Sequence, residues 1–184
     1  MRLLIFFLLM NIAAYSQQTD VNHQLCKIVD MEQNTQQHRM NIAARTQASA
    51  NTDVTYYKCF WEVDPAVNYI KGSVTISFKA LADLSVITFD LQAALTTDSV
   101  YYHGSPVNFT RPSNAVTINL PSLINIGSID SITIYYQGAP PNSGFGSFVR
   151  TSHSGVPVIW TLSEPYGAMD WWPCKNGLDD KADS

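Results

Sequence analysis

Side chains able to do chemistry are few in this chain, and most of them stand alone. The four histidines, His23, His38, His103 and His153, are followed by Gln, Arg, Gly and Ser, so there is no H-E-x-x-H helix to bind zinc. A G-x-S-x-G elbow, a phosphate loop and a dinucleotide fingerprint are also missing. Zinc sites need ligands converging from rigid elements; each histidine reads instead as an exposed or turn residue. Cys26, Cys59 and Cys174 match neither a zinc-ligand spacing nor a compact disulfide framework. They read as mostly unpaired, buried thiols, because free cysteine is among the most buried side chains.

Chemistry concentrates in one stretch, Trp160 to Asn176, with the sequence WTLSEPYGAMDWWPCKN. Its density of aromatics, Pro, Gly and acids excludes an ordinary strand or helix. Glu164 follows an apolar strand end, so its carboxylate is presented on a turn. There it either meets a cationic group or accepts hydrogen bonds that organise the loop. Trp171 and Trp172 either pack as core or form, with Tyr166, a platform on which a flat ligand stacks.

The elements that must position this stretch are strands. From Tyr56 the chain alternates with period two: Tyr57, Cys59, Trp61 and Val63 share one face, Lys58 and Glu62 the other, as expected of a half-buried strand. Asp64-Pro65 ends the run, since proline lacks the ladder donor. Ile70 to Ala80 repeats the pattern, with Val74, Ile76 and Phe78 inward and Ser73, Thr75, Ser77 and Lys79 outward. Shorter strands are expected at Val86 to Leu91, Val100 to His103, Val107 to Thr110, Ala115 to Leu120, Ser131 to Gln137 and Val158 to Leu162. His103-Gly104-Ser105-Pro106 and Arg111-Pro112-Ser113-Asn114 supply turns, and Pro140 to Gly146 reads as a loop. Short strands with turn signals every 8 to 12 residues or so predict an all-β fold, an antiparallel β-sandwich or a saddle-shaped sheet.

Ahead of the strands, Met1 to Ser16 reads as a signal peptide. Arg2 is its positive end, Leu3 to Met10 its apolar run, and Ala14-Tyr15-Ser16 its small-x-small cleavage site. A membrane span needs about 20 apolar residues, so no span is expected here, and the product is expected to be secreted or periplasmic. Residues 17–53 are rich in Gln, Asn, Thr and Ala and form a polar leader, partly helical around Glu32 to Arg45. The 11 basic and 15 acidic residues give a net charge of −4 with no basic cluster, which excludes a nucleic-acid partner.

Set in order along the chain, several segments resemble the amino-terminal domain of the aminopeptidase N family of zinc metallopeptidases. Thr161-x-x-Glu164-Pro165 is similar to the family's Thr-x-x-Glu-Pro strand end, and Pro173-Cys174 and Lys181-Ala182 to the motifs that follow it. Upstream, Gly72-Ser73-Val74-Thr75-Ile76-Ser77-Phe78 resembles a Gly-x-Val-x-Ile-x-Phe strand. Ile87-Thr88-Phe89-Asp90-Leu91 resembles an aspartate-ended strand, and Ile134-Tyr135-Tyr136-Gln137-Gly138 a Tyr-x-Gly hairpin edge. The resemblance covers residues 54–184. Two positions depart from it: Met169 stands where the family often has Arg, and Asn176-Gly177-Leu178 replaces Asp-x-Pro.

The resemblance implies that residues 54–184 are the β domain of a secreted zinc aminopeptidase, cut off before the catalytic domain that carries the zinc. It implies peptide substrates, and partnership with the catalytic domain of the same chain. It places no catalytic or metal-ligating residue in these residues, so the chain alone is expected to be inactive. Glu164 falls where the family uses a Glu or Gln to hold the substrate ammonium, with Pro165 and Tyr166 as its neighbours in the substrate site. Two other readings remain: a secreted glycan-binding or adhesion module built on Tyr166, Trp171 and Trp172, and a catalytically dead scaffold. Exposed coplanar aromatics would favour the glycan reader; buried tryptophans beside an open Glu164 would favour the peptidase.

Overall fold

The structure, a computed structural model, describes residues 47–141, 146–164, 166–177 and 180–183. The signal peptide, most of the leader with its expected helix, Cys26, His23, His38 and Pro165 lie outside the described residues. What is described is all-β, with three sheets whose strands pair antiparallel. Ten strands follow in order: β1 Thr52–Val63, β2 Ile70–Ala80, β3 Leu84–Asp90, β4 Leu95–Tyr102, β5 Ser105–Pro106, β6 Phe109–Thr110, β7 Ala115–Ile124, β8 Ile129–Gly138, β9 Val149–His153 and β10 Val156–Trp160.

The largest sheet runs β1-β2-β8-β4-β5, the second β3-β7-β6, and β9 and β10 form a separate hairpin. Alternation explains how the first two close on each other. In β2, Val74, Ile76 and Phe78 are fully buried, each worth about 1.5 to 3 kcal/mol of transfer free energy before entropy is counted. Val74 pairs with Ile134 of β8 and Ile76 with Ile132, so the inward rows of neighbouring strands coincide. Ile87 and Phe89 of β3 and Val116 and Ile118 of β7 join them in one core. The outward row is polar, with Thr75 and Thr133 hydroxyls 2.9 Å apart across the β2–β8 pair.

Local departures from the sequence reading have physical causes. Inward residues of β1 stay covered only part way: Tyr57 and Cys59 pack on the core, while Trp61 and Val63 are exposed. Gly72 opposite Trp61 is required there, since a Cβ on it would lie 2.4 Å from the Phe60 carbonyl oxygen. Leu95 to Asp98 and Val149 to His153, outside the strands expected from the sequence, are strands because the neighbouring β8 and β10 offer them open ladders. Pro121 falls in the irregular stretch of β7, where the register against β3 slips, as a residue without a ladder donor must. The first strand, β1, begins at Thr52, and Gln47 and Ser49 already hydrogen-bond to β3.

Candidate functional site

Beyond β10 the backbone abandons ladders, and side chains take over the work of holding it. The Gly167 amide donates to the Ser163 carbonyl at 2.8 Å and closes a turn that carries Glu164. Glu164 is exposed. Tyr166 is half-buried, and its carbonyl accepts a 2.9 Å hydrogen bond from the Asn176 side-chain amide. At the start of the turn, Ser163 Oγ accepts from the Trp171 indole N–H at 3.0 Å. Gly167 is needed here, because a Cβ would meet Ser147 Oγ at 2.6 Å. That hydroxyl donates to Asp170 Oδ2 at 2.6 Å, tying the following 3-10 turn, Ala168–Asp170, to the loop that precedes β9.

The floor under this segment is the end of β3. Asp90, fully buried, forms an isolated antiparallel bridge with Cys174 through two backbone bonds of 2.8 and 3.0 Å. Its carboxylate accepts from the Gln47 amide at 2.8 Å and the Asn176 amide at 3.1 Å. Further bonds run from the Gln92 amide to the Met169 carbonyl and from the Tyr136 hydroxyl to the Trp171 carbonyl. Met169 is buried. Lys175 and Asp180 form an ion pair of 2.9 Å with both side chains under a tenth exposed, at 5% and 7%. Lys175 Nζ also donates to the Thr52 carbonyl, and Asp180 accepts from the Val54 amide, so the pair clips the segment to β1.

Aromatic rings fill the space between β1 and this segment. Tyr57 meets Trp172 edge-on at 4.9 Å and 86°, Trp61 meets Trp171 at 4.7 Å and 51°, and the two neighbouring tryptophans are inclined by 64°. Trp171 is buried and Trp172 half-buried. A stacking platform needs exposed coplanar faces, and these rings are mutually tilted as in a core. The glycan-binding reading is therefore not favoured. Burial pushes the Tyr57 phenol and the Cys174 thiol well above their ordinary values, and raises the Cys59 thiol to about 11. Both thiols are free. A cavity of about 320 Å³ opens beside Trp172, between Tyr57, Asn176 and Lys181.

Glu164 and Tyr166 thus lie in the turn that Gly167 closes on Ser163, and the Trp171 indole is hydrogen-bonded to Ser163. The described histidines lie elsewhere: His153 is exposed at the tip of the β9–β10 hairpin. His103, exposed on a turn, pairs with Asp130 at 2.7 Å. Among the described residues no three His, Cys, Asp or Glu side chains converge. Sequence reasoning overlooked Ser147, Asp170, Lys175 and Asp180 as anchors; only the density of polar residues around the tryptophans signalled them.

No family model matches the chain, and no curated protein matches it. Solved structures do. An M1 zinc metallopeptidase from Deinococcus radiodurans is 26% identical with a TM-score of 0.64, over 73% of this chain and 31% of that one. A variant of that enzyme with a Tyr-Ser-Ala substrate bound is 25% identical at the same TM-score, over 73% and 32% of the two chains. Leukotriene A4 hydrolase from Saccharomyces cerevisiae shares the fold at 19% identity and a TM-score of 0.61, over 74% and 23%. The chain spans about a third or less of the length of the structures it matches.

Proposed function

We propose that this chain, which resembles the M1 zinc metallopeptidases in its motifs and in the fold of its β domain, is the non-catalytic amino-terminal portion of a secreted zinc aminopeptidase, and that Glu164 holds the substrate's free ammonium group. The observation that carries the reading is an exposed Glu164 carboxylate on a turn whose flanking residues, Ser163 and Tyr166, are both hydrogen-bonded into the domain. A group so placed points outward without being free to wander.

An enzyme that removes amino-terminal residues must tell a free α-ammonium from an internal peptide bond. A carboxylate about 4 Å from the ammonium, at an effective dielectric of about 20, interacts with it on a scale of up to about 4 kcal/mol. A blocked amino terminus loses that interaction, so one acid supplies both affinity and exopeptidase selectivity. The Tyr-Ser-Ala complex of the Deinococcus enzyme supports peptides as the substrate class. Zinc and its ligands belong, in this reading, to a catalytic domain of the same polypeptide. Pro165 and Tyr166 belong, in this reading, with Glu164 to the substrate site. Export is supported by Arg2, the apolar run and Ala14-x-Ser16; intact mass of the exported protein should begin at Gln17, and retained Met1 would exclude it.

In the zinc enzyme that carries this domain, Glu164→Ala should lower kcat/KM for peptides with a free amino terminus by roughly 30-fold or more, since truncating one partner of a desolvated charge pair costs roughly 2 to 5 kcal/mol. Positioning is lost while the hydrolytic chemistry is untouched. Glu164→Gln should be milder, because an amide oxygen still accepts a hydrogen bond. Unchanged kcat/KM in Glu164→Ala would remove Glu164 from the site, and a lower melting temperature with normal kinetics would make it a loop organiser.

A further inference from the structure

We infer that Ser163 is the positioning residue of Glu164 in this chain, and that it takes its bearing from the core through the indole of Trp171. The consequence for substrate binding rests on the reading of Glu164 given above; the positioning itself does not.

Ser163 is the last residue before Glu164, and two hydrogen bonds converge on it. Its carbonyl, part of the peptide that leads into Glu164, accepts from the Gly167 amide at 2.8 Å. Its Oγ accepts from Trp171 Nε1 at 3.0 Å, eight residues along the chain. The first bond lies within the turn and fixes its shape. The second reaches out of the turn, and so fixes where the turn points. Its donor is well anchored: Trp171 is 9% exposed and packs against Trp61 and Phe148 with ring centroids 4.7 and 5.9 Å away. The Trp171 carbonyl also accepts from the Tyr136 hydroxyl of β8 at 2.9 Å. A line of contacts thus runs from the buried face of the large sheet to the residue that precedes the acid.

Chemistry separates this bond from simple packing. An indole N–H can only donate, and a buried one needs an acceptor. The neighbouring Trp172 shows the alternative, since its Nε1, also buried, has no hydrogen-bond partner among the described residues. Of the two adjacent indoles, Trp171 is the one coupled to the turn. Removing the Ser163 hydroxyl leaves the Trp171 ring in the core and strands its N–H, so the turn loses its bearing while the packing stays. A threonine keeps a hydroxyl on the same carbon and should keep the bond.

NMR of the full chain tests the inference without any need for activity. In Ser163→Ala the Trp171 indole proton should move upfield, as a donor without its acceptor does, and the Gly167 amide should exchange about tenfold faster or more. The Val74 and Ile76 amides of β2 should keep their wild-type rates, and Ser163→Thr should restore both signals. Unchanged Gly167 exchange overturns the inference, and so does an equal acceleration at Gly167 and in β2, which marks a merely structural residue. Should Ser163→Ala fail to fold, Trp171→Phe, which removes the donor and keeps an aromatic ring, is read at Gly167 and in β2 by the same criteria. In the zinc enzyme Ser163→Ala should lower kcat/KM about threefold or more, yet add nothing in a Glu164→Ala background; a further loss there overturns the inference. Full kcat/KM in Glu164→Ala alone would sink the proposed function and leave the exchange result standing. Failure of the exchange result would leave Glu164 in the site, held by other contacts.

Discussion

The sandwich and the segment after β10 are built on opposite principles. In the sandwich, β2 is paired on both sides along its length, and its inward residues belong to one apolar core. Any single contact there has many neighbours of the same kind. Between Ser163 and Asp183 the described residues form no strand, and they are held by discrete bonds of Ser147, Asp90, Asn176, Tyr136, Lys175 and Asp180. Each of these bonds has a distinct geometry. A sheet tolerates variation because its ladder is generic; an irregular segment fixes one side chain in space because its contacts are not.

The largest effect should come from the generic region. Phe78, fully buried in β2, when replaced by Ala should cost about 3 to 5 kcal/mol through lost transfer energy and the cavity left behind. Denaturant unfolding measures this. A cost below about 1 kcal/mol would mean that the shared core is not what holds the two sheets together.

Next comes the clip between the regions. Asp180→Ala removes one side of a buried pair and an acceptor for the Val54 amide, and breaking such a pair costs about 3 to 5 kcal/mol. Because the pair ties only the irregular segment to β1, part of the loss should appear as release of that segment rather than as global unfolding. Tryptophan fluorescence should then change at lower denaturant than the far-ultraviolet strand signal; coincident transitions would make the two regions one cooperative unit.

The smallest effect should be a difference in alkaline sensitivity. Cys59 and Tyr57, which face the irregular segment, have thiol and phenol values raised by burial. A group whose folded value is raised contributes stability that is complete below its unfolded value and is lost as pH climbs through the folded one. For Cys59 the window runs from 9.0 to about 11. Tyr102 of β4, raised to about 12 by burial and then by its hydrogen bond to Asp130, extends the loss to higher pH on the sandwich side. Near-ultraviolet circular dichroism should therefore fade before the far-ultraviolet signal as pH rises past 9. Simultaneous loss would contradict the separate anchoring of the segment.

How much of this was legible in the sequence follows the same division. The span of β2 and its inward triad were read directly, because period-two alternation reports a face that must be buried whatever the neighbours are. The strand Val149–His153 was not, because its hydrogen-bonding partner, and not its side chains, makes it a strand. Glu164 and Tyr166 were proposed as substrate-site residues through the Thr-x-x-Glu-Pro resemblance, yet whether Trp171 and Trp172 were a platform or a core was open until their tilt and burial were known. Asp90 was visible only as the end of a strand.

Local alternation, turn residues and the order of motifs thus determined an all-β domain with an acid on a turn near its end. Tertiary structure alone decided what holds that acid in place. Asp90 and Asn176 are 86 residues apart in the chain, and Ser147 and Asp170 are 23 apart. Pairings at such separations leave no periodic trace in a sequence, because a hydrogen bond depends on where two elements meet and not on the pattern of either one.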